Sequence, residues 1–113
     1  MPRFTAADER VRRLFPVALR DLREAAGLDQ TQAARRAGIR RAMWWNYENG
    51  RHYPHLPVLV RVLDAVESSL SGLEEAMDRL DEERGLAVRL VAGLLVAGLP
   101  PDLLRRLIVR LHP

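Results

Sequence analysis

The sequence predicts an all-α protein, and three observations support this fold class. Apolar residues recur at spacings of three and four along most of the chain, which places them on one face of a helix. No run of Val, Ile or Thr alternates with polar residues over the length of a strand. Glycines and prolines stand between the periodic stretches, where they end or restart helices. The 113 residues are enough to bury a substantial core.

The first part of the chain predicts two helices separated by a proline. Thr5 is a suitable N-cap for a short helix that ends near Leu14, because its hydroxyl can accept a backbone N–H. Pro16 is expected to restart or kink the chain, since proline has no amide hydrogen. A second helix is then predicted over residues 17–26, with Gly27 at its end.

Two short helices joined by a tight turn are predicted next. Asp29 and Gln32 have the spacing of a capping box, which predicts a helix over residues 30–37. Gly38 ends that helix, and another is predicted over residues 40–49. Two short helices joined by a glycine-containing turn form a helix-turn-helix, whose second helix can enter the major groove of DNA.

Four more helices are predicted in the rest of the chain. One begins near Pro57, and Ser69 can cap the next. Gly85 is expected to end that helix, and a further helix is predicted over residues 86–97. Residues 86–97 are apolar on nearly all sides, and a helix of this type is usually buried on more than one side. The last helix is predicted over residues 102–111.

The charge distribution divides the chain into two parts. Residues 1–61 carry 12 arginines and 6 acids, whereas residues 62–113 carry 6 arginines and 9 acids. A basic part joined to an acidic part suits a polyanion-binding module with a separate non-binding region, although charge runs are usually solvated faces.

Residues 19–54 read LRDLREAAGLDQTQAARRAGIRRAMWWNYENGRHYP. An ordered set of residues in this stretch resembles the pattern of the Cro/C1-type helix-turn-helix proteins, also called the Xre family. The shared positions are Arg23, Glu24, Gln30, Ala34, Gly38, Tyr47, Glu48, Asn49, Gly50 and Pro54. No single tripeptide is specific, but the ordered set is. The resemblance covers about residues 16–80. It implies a five-helix lambda-repressor-like domain over 16–84, with an N-terminal helical extension over 1–15 and a C-terminal helical pair over 85–113.

The resemblance also implies two sets of contacts to double-stranded DNA. The positions that meet base edges, with their neighbours, are Arg40, Arg41, Ala42, Met43 and Asn46. The positions that contact phosphate are Gln30, Thr31, Asn49 and Arg51. Side-chain chemistry agrees, since arginine can bind guanine, asparagine can bind adenine, and alanine can pack on a thymine methyl. For each arginine the alternative is a solvated surface charge. Glu48 matches a structural acid rather than a contact.

The adjacent residues Trp44 and Trp45 cannot share one buried face, because successive helical residues point about 100° apart. The family pattern has isoleucine at Trp44 and leucines at Ala33 and Ala37. Two smaller residues can compensate for one larger residue, so we expect the Trp44 ring to pack over Ala33 or Ala37. Trp45 is expected to face DNA as a further base-reading residue; the alternatives are that it contacts a protein partner or lies flat on its own domain. Arg40 stands where the family has a capping Ser or Thr, and its side chain cannot accept an amide hydrogen bond.

The C-terminal helical pair predicts a homodimer. Its stretch from residue 86 to 99 is too apolar for a free surface, and palindromic operators match a two-fold dimer. The alternative is that these helices complete the core of the monomer. The predicted dimerisation residues are Leu90, Leu94, Leu103, Leu104, Leu107, Ile108 and Leu111.

Several function classes are disfavoured. The chain has no cysteine, which excludes disulfides and cysteine-ligated zinc. His52 and His55 lie three apart but lack further ligands, so they are expected to be turn residues rather than a metal site. No catalytic set or phosphate-binding loop occurs, and no apolar run reaches the length of about 20 residues needed to span a membrane. We therefore expect a cytoplasmic protein without enzymatic activity, cofactor, metal or membrane partner.

The predicted function is sequence-specific binding of double-stranded DNA by a homodimeric transcriptional repressor. The second hypothesis is a protein-interaction module with the same fold. It would be either an antitoxin that sequesters a toxin or an adaptor that binds another regulator. In that case Trp45 and the apolar C-terminal helices would contact the partner. Fold alone does not separate these two hypotheses.

Overall fold

The computed structural model describes residues 5–98 and 100–111, without the side chains of Leu104, Leu107, Ile108 and Leu111. These residues form six helices and no strand, which confirms the all-α class. The helices are α1 (Ala6–Ala25), α2 (Gln30–Ala37), α3 (Arg41–Glu48), α4 (Leu56–Ala65), α5 (Leu70–Val96) and α6 (Pro101–Leu111). Within residues 5–98 and 100–111, no helix meets the length and hydrophobicity that a membrane span needs.

The helix α1 continues through Pro16, so the predicted break between two helices is wrong. Proline has no N–H, which deprives the carbonyl of Arg12, four residues earlier, of its helical donor. The hydroxyl of Tyr53 donates to that carbonyl oxygen at a distance of 3.0 Å. The Tyr53 ring also packs beside Phe15, with 6.0 Å between the ring centroids. A donor from a distant loop therefore replaces the missing one.

The helix caps agree with the sequence at most positions. The hydroxyl of Thr5 accepts the backbone N–H three residues later at 3.2 Å, and that of Ser69 does the same at 3.1 Å. Asp29 and Gln32 form both hydrogen bonds of the predicted capping box. Arg40 is the N-cap of α3 and makes no side-chain capping bond, so this helix lacks the cap that α1, α2 and α5 have.

Two glycines adopt the left-handed conformation at the ends of the short helices. Gly38 has φ of 70° and caps α2. Gly50 follows the C-cap of α3 with φ of 68°, and a Cβ added there would lie 3.3 Å from the Tyr53 hydroxyl. A larger residue at Gly50 would therefore strain the backbone and crowd the loop that holds Tyr53.

The core of the first compact unit, which ends at Asp78, draws on helices α1 to α5. The apolar residues of α4 and α5 at spacings of three and four are largely buried up to Met77, but Leu70 is exposed at the first position of α5. The buried hydrophobic residues are Leu14, Phe15, Ala18, Leu19, Ala33, Ala34, Ala37, Trp44, Tyr47, Val62, Leu63, Ala65, Val66, Leu73, Ala76 and Met77.

The helix α5 continues through Gly85, so the second predicted break is also wrong. A glycine in a helix costs only about 1 kcal/mol, and the residues around it are good helix formers. The expected burial of residues 86–97 is not found in the single chain, since Leu86 is 61% exposed and Val96 is 90% exposed. These residues belong to the second compact unit, which begins at Arg79. Several of its apolar side chains are exposed to solvent. The division into segments 1–15, 16–84 and 85–113 stays a prediction.

Candidate nucleic-acid interface

The helices α2 and α3 form the predicted helix-turn-helix. The turn between them contains Gly38, Ile39 and Arg40. α2 packs against α3 and α4, while α1 packs against α3. Helix α3 is therefore held from two sides by neighbouring helices and keeps its remaining face open.

The two adjacent tryptophans of α3 lie on opposite sides of this helix. Trp44 is completely buried, whereas 43% of Trp45 is exposed. The prediction that Trp44 belongs to the core and Trp45 points outward is confirmed. Ala33 and Ala37 are buried as well, as volume compensation requires. Direct packing of the Trp44 ring over either alanine stays a prediction.

A buried carboxylate, Glu48, joins α1, α2 and α3. Arg23 donates to it from two nitrogens, Nε to Oε2 at 2.6 Å and Nη2 to Oε1 at 3.0 Å. The indole Nε1 of Trp44 donates to Oε2. The amide Nε2 of Gln30 donates to Oε1 at 3.2 Å, and Arg20 Nε lies 3.6 Å from the same oxygen. Three helices thus supply donors to one acceptor, as expected for a structural acid.

The electrostatics of this cluster keep Glu48 ionised. Burial alone would raise the pKa of Glu48, but hydrogen bonds from Arg23, Trp44 and Gln30 outweigh it and hold the pKa below its ordinary value. The same bond to Glu48 raises the pKa of Arg23. The family pattern marked Arg23, Gln30 and Glu48 separately. Their bonding across 18 and 25 residues of chain has no local signal in the sequence.

The outward face of α3 brings together four of the predicted base-reading residues. Arg41, Ala42, Trp45 and Asn46 line one shallow concave surface. Arg40 and Met43 are exposed beside it. The four residues combine a guanidinium, a methyl group, an indole and a carboxamide. Together these groups can donate to base acceptors, accept from base donors and contact apolar base edges.

The predicted phosphate-contacting residues lie at the start of α2 and after the end of α3. Gln30 and Thr31 are the first two residues of α2, and the Gln30 amide is held by Glu48. Asn49 uses its amide nitrogen to donate to the carbonyl of Trp45 at 2.8 Å. A carboxamide nitrogen carries two hydrogens, so each of these amides keeps one for a further acceptor.

A comparison with protein families identifies the fold of this segment. A family model described as a helix-turn-helix domain matches residues 17–76, which is more than half of the chain. The protein belongs to the helix-turn-helix domain family. Membership indicates DNA binding, and it fits a binding module rather than an enzyme. No curated protein and no solved structure matches the chain.

The remaining predicted sites lie outside the matched helix-turn-helix domain or in its loops. Leu90 and Leu103 are exposed and Leu94 is half-buried, while the side chains of Leu104, Leu107, Ile108 and Leu111 are outside the described residues. His52 and His55 are exposed in the loop before α4. Across the described part of the chain, no three His, Cys, Asp or Glu side chains are grouped closely enough to hold a metal ion.

Proposed function

We propose that this helix-turn-helix protein is a sequence-specific transcriptional regulator of the Cro/C1 (Xre) type that represses by binding double-stranded DNA as a homodimer. One observation carries the proposal. The outward face of α3 collects Arg41, Ala42, Trp45 and Asn46, while the opposite face, with Trp44, Tyr47 and Glu48, is buried. Helix α3 has eight residues and is about 12 Å long, a length comparable to the width of the major groove.

Base reading is assigned to the polar members of this face. The guanidinium of Arg41 can donate two parallel hydrogen bonds to guanine O6 and N7. The carboxamide of Asn46 can donate to adenine N7 and accept from its amino group. The Ala42 methyl group suits the methyl group of thymine.

Positioning on the backbone is assigned to the residues at the two ends of the motif. Gln30 and Thr31 lie at the N-terminus of α2, where free backbone N–H groups and the helix dipole favour a phosphate. Asn49 and Arg51 follow the C-terminus of α3. Contacts from both places would fix the orientation of α3 in the groove without reading sequence.

Replacing Arg41 with alanine is expected to weaken binding by about 1–3 kcal/mol and to relax the preference at one base pair. Arg41 is exposed, so the fold should be retained. The measurement is binding to the duplex that wild-type protein enriches from a random pool, compared with duplexes changed at single positions. The matched control is Arg79→Ala, which removes an exposed charge from α5. Equal weakening on all duplexes would contradict base reading by Arg41.

Dimerisation is assigned to the exposed apolar residues of the second unit. Leu86 and Leu90 are 61% and 56% exposed and stand one helical turn apart on α5. Apolar side chains in that arrangement favour association with a second copy, which also suits a palindromic operator.

Replacing Leu90 with aspartate is expected to shift the protein from dimer to monomer, because each copy would lose about 1.5–3 kcal/mol of apolar burial and bury a charge. Sedimentation equilibrium measures the shift. Val60→Asp is the control, since Val60 is 50% exposed on α4. A wild-type monomer at high protein concentration, or a dimer unchanged by Leu90→Asp, would contradict the assignment.

The alternative, an antitoxin or adaptor, draws on the same exposed groups. Trp45 and the apolar residues of α5 would then contact a protein partner. Gel shifts with duplex fragments across a salt series separate the two functions. Binding whose logarithm falls linearly with the logarithm of salt concentration supports phosphate contacts. No binding to duplex DNA at low salt would favour the protein-interaction module.

A further inference from the structure

The side chains of Trp45 and Arg51 form a cation–π pair beside the outward face of α3. The Arg51 guanidinium carbon lies over the Trp45 ring, 5.8 Å from its centroid. Trp45 belongs to α3, whereas Arg51 lies in the loop just beyond it. The pair therefore joins the predicted base-reading face to the predicted phosphate-contacting loop.

The backbone that carries Arg51 is fixed independently of this cation–π contact. Its N–H donates to the carbonyl of Asn46 at 2.9 Å, and the N–H of His52 donates to the same oxygen at 3.4 Å. The residue after His52 is Tyr53, and its hydroxyl donates to the carbonyl of Arg12 on α1. With the backbone held at both sides, the side chain of Arg51 is the part whose position depends on Trp45.

We infer that Trp45 is a positioning residue, whose ring holds the Arg51 guanidinium ready for a phosphate of the DNA backbone. This inference rests on the proposed DNA-binding function. A guanidinium held over an aromatic ring by a cation–π contact uses none of its N–H groups for that contact, so they remain able to bind a phosphate in parallel. An arginine that is already ordered loses less side-chain freedom on binding, so the contact is stronger.

The chemistry of indole favours this role over base reading. Indole has one N–H donor and no hydrogen-bond acceptor, so it cannot form the paired bonds that distinguish one base pair from another. Its face, by contrast, is the best aromatic partner for a cation among protein side chains. Trp45 then contributes to affinity through Arg51 and leaves the choice of sequence to Arg41 and Asn46.

A double-mutant cycle tests the inference. The binding of wild type, Trp45→Leu, Arg51→Ala and the double variant is measured by fluorescence anisotropy. The probe is the duplex that the wild-type protein enriches from a random pool. Trp45→Leu is expected to weaken binding about two- to fivefold in the wild-type background. It should have no further effect in the Arg51→Ala background, because the group it positions is gone. Arg51→Ala should reduce the salt slope of binding by about 1.

Two further measurements make the result specific. Trp45→Phe keeps an aromatic face and should recover most of the affinity lost in Trp45→Leu. The base preference of Trp45→Leu should equal that of wild type. Thermal unfolding of each variant checks that the fold is intact, which is expected for an exposed side chain.

The outcomes separate the inference from the proposed function. The inference is overturned if Trp45→Leu weakens binding equally with and without Arg51, relaxes the base preference, or has no effect. In those cases the wild-type protein still binds duplex DNA, and the proposed function stands. If wild-type protein binds no duplex at low salt, both the proposed function and the inference fail.

Discussion

Replacing Glu48 with alanine is expected to lower the free energy of unfolding by about 3–5 kcal/mol. The substitution removes the carboxylate that accepts hydrogen bonds from Arg23, Trp44 and Gln30. These three donors are then left without this acceptor. The loss is large because a buried charge without its partner keeps its full desolvation cost. Urea unfolding followed by circular dichroism measures it.

The control for Glu48→Ala is Glu75→Ala, which removes an exposed carboxylate from α5. This change should alter the free energy of unfolding by no more than about 0.5 kcal/mol. A loss at Glu48 as small as that at Glu75 would show that the buried cluster contributes little to stability.

The same carboxylate makes stability depend on pH in a defined direction. The pKa of Glu48 in the folded protein lies below its ordinary value of 4.5. The stabilisation is therefore complete above pH 4.5 and is lost as the pH falls through the lower folded pKa. Glu48→Gln cannot titrate, so its free energy of unfolding should fall less steeply in that acidic range. Equal slopes for the two proteins would contradict this assignment.

Replacing Trp44 with isoleucine, the residue usual in the family pattern, is expected to lower the free energy of unfolding by about 2–4 kcal/mol. The smaller side chain leaves a cavity in a completely buried position and removes one donor to Glu48. If the ring packs over Ala33 or Ala37, a leucine at that alanine should refill the cavity. The double variant should then be more stable than the sum of the single changes by about 0.5–3 kcal/mol.

A third alanine of α2 provides the control for this compensation. Ala34 is as fully buried as Ala37, but it points about 100° away from Ala33 around the helix. Ala34→Leu should overpack the core by about 1–3 kcal/mol whether Trp44 or isoleucine is present. Two outcomes would show that the Trp44 ring does not pack over Ala33 or Ala37. One is that Ala34→Leu restores the stability lost in Trp44→Ile. The other is that leucine at Ala33 and leucine at Ala37 each only add their own cost to that of Trp44→Ile.

Local signals in the sequence account for the helix ends that were predicted correctly. The bounds of α2 follow from the capping box at Asp29 and from Gly38, and both signals act within a few residues. The predicted breaks at Pro16 and Gly85 failed for different reasons. At Pro16, a donor 41 residues away from Arg12 satisfies the freed carbonyl, and no local pattern contains that information. At Gly85, the cost of one glycine was too small to stop a helix formed by favourable neighbours.

The candidate interface was partly predictable for the same reason. Helical geometry assigns Trp44 and Trp45 to different faces, and their burial confirms this assignment. The donors around Glu48 come from three helices, and the cation–π contact between Arg51 and Trp45 depends on the path of the loop after α3. Both arrangements require the packed domain, because Arg23, Gln30 and Arg51 lie outside α3, which carries Glu48 and Trp45.

The hydrogen bond between Tyr53 and the carbonyl of Arg12 makes two distant positions evolutionarily interdependent. With proline at position 16, a tyrosine hydroxyl at position 53 fills a vacancy in the α1 ladder. In a descendant with alanine at position 16, the helix would supply its own donor and the hydroxyl at position 53 would become dispensable. Substitutions at these positions should therefore be accepted in a preferred order, proline lost before tyrosine.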